Sequence, residues 1–144
     1  MRLLIDTNVI LEVMLGQPQA HDAQAFLALA GKHEFHLSNF ALHSICQILL
    51  RRKLIAPLDS FLKTAIFAGN ITVLSLPPIN VADVVDTARL LSLDFDDAYQ
   101  YAVAEKHNLT LVSFDKDFDR TPRGRQTPQA ILQLTNNPTP QEPQ

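Results

Sequence analysis

The sequence predicts an α/β fold, a single domain whose central parallel sheet of four to five strands is covered by helices on both faces. Short apolar or β-branched runs at Leu3–Ile5, Ile71–Leu74 and Leu109–Val112 are too short for helices and suit buried strands. Longer stretches with apolar residues at helical spacing separate these runs. Alternating strands and helices favour a parallel sheet, because each parallel connection needs a crossover.

Start and stop signals place each element in turn. The first strand runs directly into Asp6-Thr7-Asn8, three residue types that cap helices, and a helix over residues 9–15 should end at Gly16. A second helix is expected from Pro18 to Gly31, followed by a weaker strand at Phe35–Leu37. The remaining expected elements are helices from Ser38-Asn39 to Lys53, from Pro57 to Gly69, over Val81–Leu91 and over Asp96–His107, strands over Ile71–Leu74 and Leu109–Val112, and a further edge strand at Ala130–Leu132.

The composition fits one small domain. The chain has 144 residues, of which 47% are hydrophobic and 19% charged, enough for a core and too few charges for a disordered protein. The domain is expected to span residues 1–134. Residues 135–144 contain three prolines and no large apolar side chain, so a disordered tail is expected there.

Charge, cysteine count and hydropathy exclude several classes of protein. The 12 Lys and Arg against 15 Asp and Glu give a net charge of -3, which argues against a protein that coats nucleic acid through bulk charge. The single cysteine, Cys46, excludes an internal disulfide and a cysteine-rich zinc module. No apolar run approaches the ~20 residues of a membrane span, and no signal peptide precedes the first strand. A cytoplasmic protein that does not enter a membrane is therefore expected.

Acidic residues fall where the predicted strands end and helices begin. Asp6 follows the first strand, Asp115 follows the last, and Asp94, Asp96 and Asp97 open a helix. Strand C-termini and helix N-termini share one edge of a parallel sheet, so these carboxylates are expected to converge. Converging carboxylates repel one another unless a cation joins them, and a hard ion such as Mg²⁺ or Mn²⁺ suits oxygen ligands. Such an ion lowers the pKa of bound water, so the pattern indicates metal-dependent phosphodiester hydrolysis.

Each acid also has a simpler interpretation. The four acids at helix starts are also explained as N-caps favoured by the helix dipole, and residues 115–119 as a solvated turn. The placement of all three groups at one predicted edge favours the functional interpretation.

Three segments together resemble a PIN domain, in the right order and across nearly the whole chain: Leu4–Asn8, Asp97-Ala98 opening a helix, and Leu111–Phe118 with its Asp-Lys-Asp-Phe end. The resemblance implies a small α/β protein with Mg²⁺- or Mn²⁺-dependent ribonuclease activity, similar to the VapC toxins of toxin–antitoxin pairs. An antitoxin partner and a homodimer are implied in the same way. Carried over by position, the resemblance makes Asp6, Asp97 and Asp115 catalytic metal ligands. Asp117 is implied as an auxiliary ligand or as a group that supports the ligands. Further support is implied from Asn8, the hydroxyl of Thr7, and the neighbouring Asp94 and Asp96.

The chain departs from the family pattern at one position. The family usually has a Glu near the start of the helix after the second strand, whereas Ser44 stands there, beside His43. A neutral imidazole can ligate a metal or transfer protons, although packing or hydrogen bonding would equally explain this histidine. The missing carboxylate leaves open a PIN-fold module that binds RNA or protein with weak or no catalysis.

Two basic groups are candidates for RNA contacts. Lys116, Arg120, Arg123 and Arg125 lie just beyond the last acids, where they would hold an RNA backbone near the metal, or simply form a solvated loop. Arg51–Lys53 ends a helix, where cations favour the helix dipole. An aspartyl phosphotransferase is a third hypothesis, but that class has Asp-x-Asp after the first strand, and this chain has Asn8 at the second position.

Overall fold

The computed structural model describes residues 1–138, and within them four strands form one all-parallel sheet in the order β3-β2-β1-β4. The predicted α/β class is confirmed. The strands are β1 (Arg2–Ile5), β2 (Glu34–Ser38), β3 (Ile71–Leu74) and β4 (Thr110–Val112).

Helices cover both faces of this sheet. They are α1 (Thr7–Met14), α2 (Ala20–Leu27), α3 (Asn39–Arg51), α4 (Ile55–Phe61), α5 (Val81–Leu91), α6 (Phe95–His107) and α7 (Pro128–Asn136), with a π-helical turn at Leu62–Phe67 and 3₁₀ turns at Pro78–Asn80 and Lys116–Arg120.

The central strand β1 divides the core into two clusters. Its apolar residues are fully buried and alternate between the faces, as the two-residue period of a strand requires. Leu3 and Ile5 pack with residues of α1–α4 and α7, whereas Leu4 packs with residues of α5 and α6. A strand buried on both faces reads as a continuous apolar run, which is why this element was predictable.

Because all four strands are parallel, their C-termini lie at one edge of the sheet, here called the carboxyl edge, and their N-termini at the opposite amino edge. Two hydrogen bonds fix helices at the carboxyl edge. The Ser38 hydroxyl accepts from the Ala41 N–H at 3.0 Å and caps α3, and the Asp94 carboxylate accepts from the Asp97 N–H at 3.0 Å and caps α6. These caps bring the first turns of both helices beside the strand ends.

The predicted edge strand at Ala130–Leu132 is wrong, because these residues lie in α7. Pro128 occupies the first turn, and the Thr127 hydroxyl accepts from the Ala130 N–H at 3.1 Å, so capping starts a helix here. Ile131 is fully buried against the core. On the side of β4 away from β1, residues 1–138 contribute only an isolated bridge between Val112 and Gln126.

Helix α7 extends two residues beyond the predicted domain boundary at residue 134. The hydroxyl of Thr135 donates to the Ile131 carbonyl at 2.7 Å and lies 2.8 Å from the ring of His33. The rest of the predicted tail, from residue 139 onward, lies outside the described residues. Across residues 1–138, none of the helices combines the length and apolar character needed to cross a membrane.

Candidate metal centre

The predicted convergence of acids occurs at the carboxyl edge. Asp6 directly follows β1, Asp97 lies in the first turn of α6, and Asp115 follows β4. All three line one cavity of about 360 Å³. The other residues around it are Thr7, Asn8, Leu11, Phe40, Ser44, Gln47, Ile48, Arg51, Asp96 and Gln100.

Three carboxylates form a compact group of oxygen donors. One oxygen from each of Asp97, Asp115 and Asp117 lies within 4.8 Å of the other two. Asp97 and Asp115 are half-buried and Asp117 is exposed, so the group opens toward solvent. Asp117, predicted as an auxiliary ligand or a supporting group, thus lies together with Asp97 and Asp115.

Asp6 lies beside this group and is held by neutral donors. Its Oδ1 accepts from Gln100 Nε2 at 2.8 Å, and its Oδ2 accepts from the Ser113 hydroxyl at 2.6 Å and from Asn8 Nδ2 at 3.2 Å. Asp6 occupies the N-cap position of α1, yet its side chain makes no capping hydrogen bond. The carboxylate therefore does not serve the simple capping role that the sequence left open.

Burial and mutual repulsion disfavour negative charge in this region. Burial raises the pKa of Asp6 above its usual value, although the Ser113, Thr7 and Gln100 hydrogen bonds oppose that shift. Burial, and then repulsion from Asp94, Asp6, Asp115 and Asp117, raises the pKa of Asp97 to about 7. A positive charge bound beside Asp97 would therefore favour its ionisation near neutral pH.

The donor set fits a divalent cation. Carboxylate oxygens are the ligands that Mg²⁺ and Mn²⁺ prefer, and Asp97, Asp115 and Asp117 offer three such oxygens at short mutual distance. Arg120 pairs with Asp117 at 3.0 Å and offsets part of the charge, but Asp97 and Asp115 form no ion pair within the described residues.

The other predicted acids have more local roles. Asp94 is exposed and caps α6, as its simpler interpretation proposed. Asp96 lines the cavity, and burial followed by repulsion from Asp94 raises its pKa. Asp115 accepts from the Asp117 N–H at 2.8 Å, so it caps the 3₁₀ turn as well as belonging to the acidic group.

Helix α3 forms a wall of the cavity without contributing a carboxylate. Ser44, at the position where the family usually has Glu, lines the cavity, and Gln47 and Arg51 follow it at helical spacing. His43 is exposed and is not among the cavity residues, so the structure does not bring this predicted supporting residue to the acids.

The predicted basic group is largely engaged within the protein. Arg125 forms a bidentate pair with Asp119 at 2.9 and 3.1 Å and also donates to the Ser113 carbonyl, with its side chain only 10% exposed. Arg120 donates to Asp117 and to the Ser92 carbonyl. These contacts explain the two arginines as structural cations.

Arg123 and Lys116 lie in different places. Arg123 donates to Asn108 Oδ1 at 3.3 Å and to the Leu109 carbonyl at 3.0 Å, which places it near the start of β4 and away from the acids. Lys116 is exposed between Asp115 and Asp117 and has no hydrogen bond or ion pair among the described residues.

Sequence reasoning missed Gln100, Ser113 and Gln47, and it named Arg51 only as one of three basic residues at the end of a helix. Gln100 is 4% exposed and lies one turn after Asp97, a spacing that indicated its direction. Because ionised Asp6 only accepts hydrogen bonds, it fixes the Gln100 amide with Nε2 toward it. The Gln100 Oε1 is buried with no partner among the described residues, a further sign of a site incomplete in the protein alone.

Comparisons with known proteins identify the family and the fold. The PIN domain profile matches residues 3–124. No curated protein matches the chain significantly. Among solved structures, PAE2754 from Pyrobaculum aerophilum is similar with 19% identity and a TM-score of 0.68, covering 95% of this chain and 97% of that one.

Two further solved structures are also similar. A toxin-antitoxin complex from Klebsiella pneumoniae shares 21% identity at a TM-score of 0.62, over 88% of this chain and 97% of that one. VapBC2 from Rickettsia felis, bound to a DNA fragment from its promoter, shares 17% identity at a TM-score of 0.67, over 88% and 98%. The profile match spans most of the chain, and the fold agrees with it; the protein belongs to the PIN domain family.

Proposed function

We propose that the protein is a divalent-metal-dependent endoribonuclease. The observation that carries this proposal is the acidic group, in which Asp97, Asp115 and Asp117 present oxygens within 4.8 Å of one another beside buried Asp6. Like charges this close are costly to the fold unless a cation binds them, so their retention at one edge fits a metal-dependent reaction.

The residues around the cavity would either hold the metal or orient Asp6. Asp97, Asp115 and Asp117 would hold Mg²⁺ or Mn²⁺, with Asp6 adjacent to them. When bound, such an ion supplies a more acidic water and offsets charge on the phosphodiester oxygens. Gln100 and Ser113 keep the Asp6 carboxylate in one orientation through hydrogen bonds of 2.8 and 2.6 Å.

The raised pKa of Asp97 makes metal binding depend on pH. At a pKa of about 7, this carboxyl group holds a proton for part of the time at neutral pH and must release it before it can bind a cation. Metal affinity is therefore expected to rise as the pH passes through 7.

RNA is the proposed substrate, on the resemblance to PIN ribonucleases and the likeness to toxin–antitoxin structures. Of the four basic residues predicted to contact RNA, we retain Lys116, because it is exposed beside Asp115 and Asp117 and free of partners among the described residues. Arg123 is not retained, since it lies away from the acids.

The nuclease proposal is tested with purified protein and a labelled single-stranded RNA. Cleavage is expected with Mg²⁺ or Mn²⁺, to stop on chelation, and to be lost in Asp97→Asn. The matched control is Asp86→Asn, which changes an exposed acid on α5 that pairs with Arg89. Equal cleavage by wild type and Asp97→Asn would exclude this site as the source of activity.

A toxin role is the finer part of the proposal. The neighbours from Klebsiella pneumoniae and Rickettsia felis are toxin–antitoxin complexes, so we propose a small antitoxin partner, a homodimer and action in the cytoplasm. Induced expression should arrest growth, Asp97→Asn should not, and co-expression of a small protein encoded directly upstream should restore growth. Unimpaired growth under induction by an active nuclease would count against a toxin.

One observation favours a second candidate, a PIN-fold module that binds RNA or protein without efficient catalysis. Helix α3 places Ser44 in the cavity and no carboxylate, so the site lacks one acid of the family pattern. Calorimetry with Mn²⁺ separates the two. Tight binding that is lost in Asp97→Asn supports the nuclease, whereas RNA binding without Mn²⁺ binding supports the module.

A further inference from the structure

The wall of the cavity formed by α3 carries a cation that the metal site does not use. Among the residues lining the cavity, Asp6, Asp96, Asp97 and Asp115 are acidic and Arg51 is the one basic residue. Although it shares the cavity with four acids, the Arg51 guanidinium forms no ion pair or hydrogen bond among residues 1–138. Its charge is thus available to a ligand.

Arg51 lies at one end of a row of polar residues along α3. Ser44, Gln47 and Arg51 recur at intervals of three and four residues, so they form one polar stripe facing the cavity. Arg51 lies seven residues after Ser44, about 10 Å along the helix. A cation at that distance along the stripe is suited to a backbone phosphate that neighbours the one held at the acids.

We propose that Arg51 is a substrate-positioning residue, which binds a phosphate of single-stranded RNA flanking the phosphodiester that is cleaved. This inference rests on the proposed function. The cavity's acids repel an approaching polyanion, so productive binding needs a fixed cation in the same cavity. A guanidinium meets that need with several donors in one plane and binds phosphate oxygens in pairs.

The chain offers a matched control in the next residue. Arg52 is also exposed and is the C-cap of α3, so it interacts equally with the helix dipole, but it does not line the cavity. Arg51→Gln and Arg52→Gln remove the same charge with little change in helix propensity. Only a contact made inside the cavity distinguishes them.

Fluorescence anisotropy with a labelled single-stranded RNA in EDTA, over a series of salt concentrations, measures the contact without metal. Arg51→Gln should weaken binding about tenfold and reduce the slope of log affinity against log salt by about 0.7, the value for one phosphate contact. Arg52→Gln should change affinity by about twofold or less. Arg51→Lys should recover part of the affinity, because it keeps the charge but not the paired donors.

Steady-state cleavage with Mn²⁺ and calorimetric Mn²⁺ binding complete the test. Arg51→Gln should raise KM with little change in kcat and leave Mn²⁺ affinity intact. Equal effects of the two glutamine variants, loss of Mn²⁺ binding in Arg51→Gln, or absence of RNA binding by the wild type would overturn the assignment. RNA binding that depends on Arg51 in a protein that never cleaves would uphold it and reject the nuclease proposal.

Discussion

The carboxyl edge of the sheet gathers like charges, whereas the amino edge pairs opposite ones. At the carboxyl edge, Asp97 and Asp115 lie together without an ion pair among the described residues. At the amino edge, Arg2 pairs with Glu34 at 3.3 Å and also donates to the carbonyl of His107 at 2.9 Å. The two ends of the same strands therefore treat charge in opposite ways.

The amino edge nevertheless has the larger cavity. About 540 Å³ lies there, lined by residues that include Arg2, His33, His36 and Thr72, against about 360 Å³ at the acids. Size alone would point to the end of the sheet opposite the proposed site. Unpaired carboxylates held close together are the better indication of function. Their repulsion lowers the stability of the fold unless a bound ligand offsets it.

The largest effect is expected when negative charge is removed from the carboxyl edge. At pH 8, with Mn²⁺ at a hundredfold excess over its Kd, binding should stabilise the wild type by about 2.7 kcal/mol, or raise Tm by about 10 °C. Asp97→Asn should lose most of this rise, and metal-free Asp97→Asn should melt above the metal-free wild type because repulsion is relieved. Differential scanning calorimetry measures both effects.

Glu34→Gln is the control from the amino edge, because it removes one exposed carboxylate of a surface pair. Its Mn²⁺-induced rise in Tm should match that of the wild type. A rise that is unchanged in Asp97→Asn would mean that the ion binds elsewhere.

The neutral donors around Asp6 give the next largest effect. The buried Ser113 hydroxyl donates to Asp6 at 2.6 Å and accepts from Asn8 Nδ2 at 3.1 Å and from the Asp115 N–H at 2.9 Å. Ser113→Ala leaves a buried carboxylate with one donor fewer, and should lower the free energy of unfolding by about 2 kcal/mol. Urea unfolding provides the measurement.

Thr135→Ala removes a hydroxyl from a hydrogen bond near the amino edge and should cost about 0.5 kcal/mol. If Ser113→Ala and Thr135→Ala lowered the free energy of unfolding equally, the Ser113 hydrogen bonds would not stabilise the carboxyl edge more than the Thr135 hydroxyl stabilises its surroundings.

The stability of the metal-free protein should depend on pH through Asp97. Unfolded Asp97 titrates near 3.8 and folded Asp97 at about 7, so between these values the folded protein binds more protons than the unfolded chain. Metal-free stability should therefore fall as the pH rises from about 4 to about 7 on account of this group, by a few degrees of Tm.

Other groups titrate in the same range, so the difference between variants is the quantity to measure. Burial lowers the pKa values of His33 and His107, which makes stability rise with pH toward 6.5 and opposes the effect of Asp97. Subtracting the Tm profile of Asp97→Asn from that of the wild type should leave a decline centred between pH 4 and 7. A flat difference would contradict the raised pKa.

The sequence predicted the fold wherever burial leaves a clear local pattern. β1 lies in the centre of the sheet and reads as an unbroken apolar run, and the predicted bounds of α5 match those observed, Val81–Leu91. The prediction failed at Ala130–Leu132, because three apolar residues are compatible with either a strand or a helix. There the decision came from the Thr127 cap and Pro128.

The site was predictable as far as it depends on chain order. Asp6 and Asp115 follow strands directly, so parallel topology alone brings them to one edge. The basic residues were harder, because the partners of Arg123 and Arg125 are set by tertiary contacts. Arg51 was weighed as an RNA contact and explained more simply as a helix-dipole cation, because the face of α3 that meets the cavity depends on how the helix packs.

The smallest effect is expected at the amino edge, where charge is already balanced. Arg2 and Glu34 have side chains 50% and 69% exposed, so solvent screens their attraction. Arg2→Ala also removes a donor from the carbonyl of His107, but water can replace that donor at an exposed helix end. Its cost should be about 1 kcal/mol or less, and the coupling in a double-mutant cycle with Glu34→Ala about 0.5 kcal/mol.

High salt should reduce that coupling further, and Mn²⁺ affinity should stay the same in Arg2→Ala. The second expectation matters more, because β1 connects Arg2 at one edge to Asp6 at the other. A change in Mn²⁺ affinity would mean that strain at one end of β1 moves the acids at the other. Constant affinity would mean that the fully buried centre of β1 isolates the acids at the carboxyl edge from the ion pair at the amino edge.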